Sequence, residues 1–158
     1  MPLTAAVLTV SDSSHRGARG DASGPAVKAA LEQNGYQVVK TEIVPDDRTD
    51  IENAIMRMCR EARLVVTTGG TGIAPRDVTP EATRAVCDRL VDGISECIRA
   101  EGRKKIANAI LSRGVCGVRG TSLVLNLPGS PTAAVESLSA VLSVLPHALE
   151  LLAGKTEH

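Results

Sequence analysis

The chain of 158 residues is 43% hydrophobic but only 1% aromatic, with no Trp or Phe and a single Tyr36, so its core has to be built from Val, Leu, Ile and Ala. That length suits one domain, 1–158, able to bury roughly 70% of its unfolded surface. With 18 basic and 18 acidic residues, no basic run and no aromatic platforms for bases, nucleic acid and anionic membranes fall away as expected partners.

Cys59, Cys87, Cys97 and Cys116 form no CxxC pair, and His15, His147 and His158 stand apart from them, so reduced thiols and no zinc site are expected. The opening "MPLTAAVLTVSD" has no charged leader, and no uncharged apolar segment reaches the length of a membrane span. A soluble, cytoplasmic protein is expected.

In chain order, Thr4 to Val10 reads as a strand with no polar face beyond threonine, as in a parallel sheet covered on both sides. Pro25 to Asn34 carries Val27, Ala30 and Leu31 on one helical stripe and stops at Gly35. Tyr36 to Val44 is the second strand. Thr49 and Glu52 match a capping box, and Ile51, Ile55, Met58 and Ala62 continue the helix behind it. "ARLVVTT" is the third strand. Thr79 is the expected N-cap of a helix with Pro80 in its first turn, running to about Arg89, and Gly93 to Glu101 is another helix. Ala109 to Val118 and Thr121 to Asn126 are β-type runs around "VRGTS", a hairpin. Ser130 then caps a last helix whose stripe is Val135, Leu138, Leu142, Leu145, Leu149 and Leu152, with Pro146 kinking or restarting it. The order predicts a three-layer α/β/α sandwich around a mostly parallel sheet with a β-hairpin.

Ligands of such sheets bind beyond the carboxyl ends of the strands. Three loops lie there: "SDSSHRGARGDASG", "PDDRT" and "GGTGIAPRDVT". Gly69, Gly70 and Gly72 match neither a Walker loop nor GxGxxG, and alone they serve equally well as a tight turn. Asp77, a carboxylate close behind them, would repel an anion unless a metal sat between, so the stretch reads as a polyphosphate site with a divalent cation. Of Asp46 and Asp47, one is expected to be a helix-start residue and the other to share the cation with Asp77. Arg76 and Arg113 are candidates to neutralise a leaving pyrophosphate, and His15 is expected to face solvent.

"TTGGTG", "PRDVTPEAT", "LSRGVCGVRG" and "NLPGSP", in this order, resemble the molybdopterin adenylyltransferase family, of the MogA/MoaB type, whose fold recurs in a domain of gephyrin. The likeness runs from "AVLTVSD" to the last helix. It implies a homotrimeric enzyme of molybdenum cofactor biosynthesis, with the molybdopterin-binding fold, that transfers AMP from ATP to the terminal phosphate of molybdopterin with Mg²⁺. It also implies hand-over of the product to the molybdenum-insertion enzyme. The family's catalytic, metal-binding aspartates fall on Asp46 and Asp77, and its glycine-rich loop on Thr68, Gly69, Gly70, Thr71 and Gly72, beside Arg76. Its second ligand loop falls on Asn126, Pro128, Gly129, Ser130 and Pro131, and its first loop on Ser11, Asp12 and Ser23. One departure is "DGISE", which keeps Gly93 and Glu96 where many relatives add a proline and an aromatic.

The alternatives are a MoaB-like protein that binds molybdopterin without adenylating it, and a carrier or scaffold. The related molybdenum-insertion enzyme carries Gly-Asp-x-Asp, and CinA-type pyrophosphatases carry paired acids, where this chain has Arg76-Asp77. Opposite the last leucine stripe, Ala134, Ser137, Ala140 and Val144 form a face expected to be covered, either by the chain's own hairpin or by a second subunit.

Overall fold

A computed structural model describes residues 3–156. Eight residues of apolar or β-branched character make β1, Leu3–Val10. They are followed by a one-turn helix α1 (Asp12–His15), α2 (Ser23–Gln33), β2 (Tyr36–Val44), α3 (Arg48–Glu61) and β3 (Leu64–Thr68). Then come α4 (Thr79–Val86), β4 (Arg89–Leu90), α5 (Asp92–Arg103), a 3₁₀ turn (Ala107–Leu111), β5 (Cys116–Arg119), β6 (Ser122–Leu127), α6 (Pro131–Val141) and α7 (Leu145–Leu152). The sheet order is β2-β1-β3-β6-β5-β4. Strands β1, β2, β3 and β6 are parallel, while β5 runs antiparallel to β6 and β4 antiparallel to β5.

Period-two alternation assigns each strand's side chains to two separate cores. Ala5 and Val7 of β1 pack with Val27, Leu31, Ile98, Leu138 and Leu145, from the layer holding α2, α5, α6 and α7. Ala6, Leu8 and Val10 pack with Ile51, Ile55, Met58 and Ala82, from the layer holding α3 and α4. This is the three-layer sandwich expected, and the double cover explains why β1 and β3 have no polar face. The interior is aliphatic, with Tyr36 4% exposed and its hydroxyl unpartnered. Each fully buried Leu or Ile contributes about 1.5–3 kcal/mol.

Several local expectations are corrected. The cap of α3 is Asp47, whose carboxylate accepts from Asp50 N at 3.0 Å; Glu52 instead takes Arg48 Nε at 2.8 Å, so the Thr49 capping box does not form. Val78 occupies the cap position of α4, because the Thr79 hydroxyl is drawn away to the Gly69 carbonyl, and the helix ends at Val86. Residues 109–111 belong to the 3₁₀ turn, and only Cys116 onward pairs as a strand. Pro146 lies in the first turn of α7, and α6 and α7 meet at a 65° bend, so the last helix restarts there. No single helix among the described residues is long and apolar enough to cross a membrane.

Candidate active site

Because β1, β2, β3 and β6 are parallel, their following loops meet at one sheet edge. The chain goes outward from β1 to β2, then returns across β1 to β3, which opens a crevice between the β1 and β3 loops.

The β3 loop is tightly moulded. Gly69 and Gly70 have φ of 101° and 68°, in the region that favours glycine. A Cβ on Gly69 would collide with the Val10 carbonyl, and one on Gly70 with the Thr79 hydroxyl. Gly69 N donates to Leu127 O at 3.1 Å and the Thr68 hydroxyl to Pro128 O at 2.8 Å, tying this loop to the one after β6. Gly129 sits close against it, where an added Cβ would stand 3.4 Å from Gly69 Cα.

Gly70, Thr71, Gly72, Asp77, Pro128 and Gly129 share the wall of a cleft of about 640 Å³. Sequence reading missed the opposite wall, made by Ile98 and Arg99 of α5, Leu111 of the 3₁₀ turn and Lys105 and Ile106 between the two, with Glu136 and Ala140 of α6. No local pattern separates cleft-lining from core-facing apolar residues on such helices. Of the face opposite the leucine stripe, Ala134 is buried within the chain, Ser137 and Ala140 line the cleft, and Val144 is 50% exposed.

An acidic pocket lies on the other side of Gly70. A Cβ there would be 3.2 Å from Asp46 Oδ1. Asp46 and Asp12 bond reciprocally: Asp12 N donates to Asp46 Oδ2 and Asp46 N to Asp12 Oδ1, both at 2.9 Å. Arg76 grips Asp12 with Nε at 2.6 Å and Nη2 at 2.9 Å. That guanidinium, then the Asp46 N–H, hold the Asp12 carboxyl at about 2. Burial, then the nearby Asp12 and Asp77 charges, push the Asp46 carboxyl above its usual range. Asp77 Oδ2 accepts from Ala74 N at 3.1 Å and faces the cleft.

The other sequence candidates divide. Ser11 caps α1 by accepting from Ser14 N, and Ser130 caps α6 by accepting from Ala133 N, with Pro131 beginning the helix. Ser23 is buried at the start of α2. Asn126 is turned inward, 3% exposed, rather than toward ligand: its Oδ1 accepts from Val115 N, and its amide donates to the Thr67 and Thr83 hydroxyls at 3.0 Å each. Asn126→Ala, which leaves Val115 N and the Thr67 hydroxyl unpaired in the core and takes one of two bonds from the Thr83 hydroxyl, is expected to cost about 2–4 kcal/mol in denaturant unfolding. Arg113 does not offer its charge freely either: it is bonded to Gly72 O, Asp77 O and Glu81. His15 is exposed, and all four cysteines are free, with burial pushing the Cys87 and Cys116 thiols up to about 12.

Residues 6–147 match the family described as probable molybdopterin binding domain. The chain belongs to this family. It is 42% identical over 152 residues to a molybdopterin adenylyltransferase of Helicobacter pylori J99, covering 94% of this chain and 86% of that one. The molybdopterin biosynthesis enzyme MoaB of Thermus thermophilus superposes with a TM-score of 0.91 at 48% identity, covering 97% of this chain and 98% of the other. MogA superposes with a TM-score of 0.90 at 39% identity, over 94% and 99% of the two chains. The fold and family read from "TTGGTG", "PRDVTPEAT" and "NLPGSP" are therefore those found. In this molybdopterin-binding family member, the glycine loop, both aspartates and the loop after β6 stand at one edge of the sheet.

Proposed function

We propose that the chain is a molybdopterin adenylyltransferase, transferring AMP from ATP to the terminal phosphate of molybdopterin and releasing pyrophosphate. The carrying observation is that Asp46 and Asp77 both lie against one glycine loop: a Cβ on Gly70 would stand 3.2 Å from Asp46 Oδ1, and one on Gly72 2.9 Å from Asp77 Oδ2. The similarity to proteins named molybdopterin adenylyltransferase supports the same reading.

In this reaction a molybdopterin phosphate oxygen bonds to the α-phosphorus of ATP as the bond to the β-phosphate's bridging oxygen breaks. Repulsion between the two polyanions is the main obstacle. Backbone N–H groups of the glycine loop hold phosphate oxygens, and Asp46 and Asp77 would orient them through a cation held between carboxylate and phosphate. The phosphate nucleophile is already ionised at neutral pH, so neither aspartate has to take a proton.

Mg²⁺ fits this arrangement. Among the described residues no three His, Cys, Asp or Glu side chains form a ready cation cage, yet Mg²⁺ on a nucleotide needs only one or two carboxylates beside phosphate oxygens and water. Asp46 Oδ1 and Asp77 Oδ2 both lie against the glycine loop, and these are the two carboxylates that would hold the cation. Bound there, it would screen the polyphosphate charge. The cleft, with its apolar wall of Ile98, Ile106 and Leu111, takes the pterin.

A cytoplasmic homotrimer that passes its product to the molybdenum-insertion enzyme completes the proposal, with light scattering at micromolar concentration as the check on assembly. A strict monomer there refutes the trimer. Pyrophosphate release from ATP that depends on added molybdopterin is the expected outcome of the activity test. Molybdopterin binding without release refutes the transferase and leaves a MoaB-like binding protein.

A further inference from the structure

The glycine loop carries a feature that its sequence does not announce: four successive carbonyls are held from one side. Gly69 O accepts from the Thr79 hydroxyl at 3.0 Å and Gly70 O from Thr79 N at 3.1 Å. Thr71 O accepts from Arg113 N at 2.7 Å and Gly72 O from Arg113 Nε at 2.8 Å. Arg113 Nη2 also reaches Asp77 O at 2.8 Å, closing the segment at its far end. The remaining guanidinium donors grip Glu81, with Nη1 to Oε2 at 2.6 Å and Nη2 to Oε1 at 3.3 Å. Thr79 and Glu81 belong to the first turn of α4 and Arg113 to the segment before β5, and the Arg113–Glu81 pair joins the two segments that hold these carbonyls.

A planar trans peptide points its N–H opposite to its C=O. Fixing these four carbonyls therefore turns the N–H groups of Gly70, Thr71, Gly72 and Ile73 away from the Thr79 and Arg113 donors that hold them. None of the four donates to a protein group among the described residues, and Gly70, Thr71 and Gly72 line the cleft. Unpaired, convergent N–H groups in a loop of this kind form an anion-binding concavity.

We propose that Arg113, braced by Glu81 and acting with Thr79, is a positioning residue that holds the glycine loop with its amides presented to a polyphosphate. Its role is geometric: the guanidinium touches the loop from behind and not the ligand. The inference rests on the reading of the loop as the phosphate site of the transferase.

The test titrates inorganic pyrophosphate into ¹⁵N-labelled parent, Arg113→Met and Arg113→Lys proteins, following the amides of residues 70–73 together with affinity, kcat and KM for ATP. In the parent, these four amides shift on binding. Arg113→Met weakens pyrophosphate binding by roughly tenfold or more, the effect of losing several charge-assisted hydrogen bonds. Arg113→Lys, which keeps the charge but not the planar fork, behaves like Arg113→Met. Parent-like affinity in Arg113→Lys means that charge rather than geometry acts, and overturns the proposal. Equal shifts and equal affinity in the parent and Arg113→Met also overturn it while leaving the phosphate site intact. If pyrophosphate moves none of these amides even in the parent, the reading of the loop itself fails and takes the proposal with it. Where Arg113→Met does not fold, Glu81→Gln reads the same quantity: a loosened fork lowers affinity by about threefold, and unchanged affinity overturns the proposal.

Discussion

Asp77→Asn is expected to fold like the parent and to transfer AMP about a thousandfold more slowly, or worse. The fold survives because the tight turn depends on Asp77 N reaching Ala74 O at 2.9 Å, and because an amide oxygen can replace Oδ2 as the acceptor for Ala74 N. What disappears is the charge that acts as two anions meet. Asp46→Asn should lose activity to a similar degree and still keep its bond to Asp12 N. Its stability gives a second, independent reading. A carboxyl raised in the folded state favours the fold fully below its ordinary value and loses that contribution as pH rises through the raised one. The neutral Asn carries no such dependence, so the melting temperature of Asp46→Asn is expected to gain on that of the parent as pH rises. Asp47→Asn is the control. Asp47 is the cap of α3, Asn caps as well as Asp, and turnover should change at most a few-fold. Molybdopterin affinity should persist in all three, since removing a negative charge near a phosphate does not weaken its binding. An Asp77→Asn protein that transfers AMP at near-parent rate sinks the mechanism, and a reversed ranking of Asp46 and Asp47 sinks the assignment of the second acid.

Gly69→Ala is expected to do the largest structural damage of any single methyl group. The residue is buried at φ 101°, and its new Cβ would meet the backbone carbonyl of Val10, which belongs to β1 and cannot swing aside. Backbone strain and the collision together should cost about 3 kcal/mol or more, a fall in Tm of roughly 6–12 °C. Gly35→Ala provides the comparison: φ is 88°, but nothing lies within 4 Å of its Cβ, so only the backbone penalty applies. A calorimetric scan separates the two. Equal Tm losses would mean that the contact with Val10 relaxes freely and that the loop is less rigidly held than described.

The strands were legible because of their double burial. Leu64–Thr68 stands where its unbroken apolar and β-branched run placed it, buried along its whole length, whereas Tyr36–Val44, an edge strand with most of its middle exposed, was legible from its β-branched content and the Gly35 stop before it. The two residues of β4 are too few for any periodicity, and Ala109 to Leu111 read as the start of a strand only because so short a run cannot distinguish a 3₁₀ turn from extended chain. The caps failed for a different reason. Thr79 has the right chemistry for a cap, but a carbonyl 10 residues upstream in the chain competes for its hydroxyl, and tertiary structure wins. Asn126 sits in a loop-like motif yet points into the core to join β5, β3 and α4. The Asp12–Arg76 pair spans 64 residues and follows no spacing rule, so it becomes visible only once β1 and β3 lie side by side.

The tie between the β3 loop and the β6 loop also fixes the order in which the molecule matures as it is synthesised. The Thr68 hydroxyl waits for a carbonyl 60 residues further along, and Gly69 N waits for Leu127. A growing chain thus holds both aspartates and all three glycines long before the loop is locked. The first three strands and their helices can associate early, because their contacts are nearer in sequence. The β3 loop takes its described shape only once β6 pairs beside β3, so a chain that stops short of Leu127 lacks the partners that hold Gly69 and Thr68 in place.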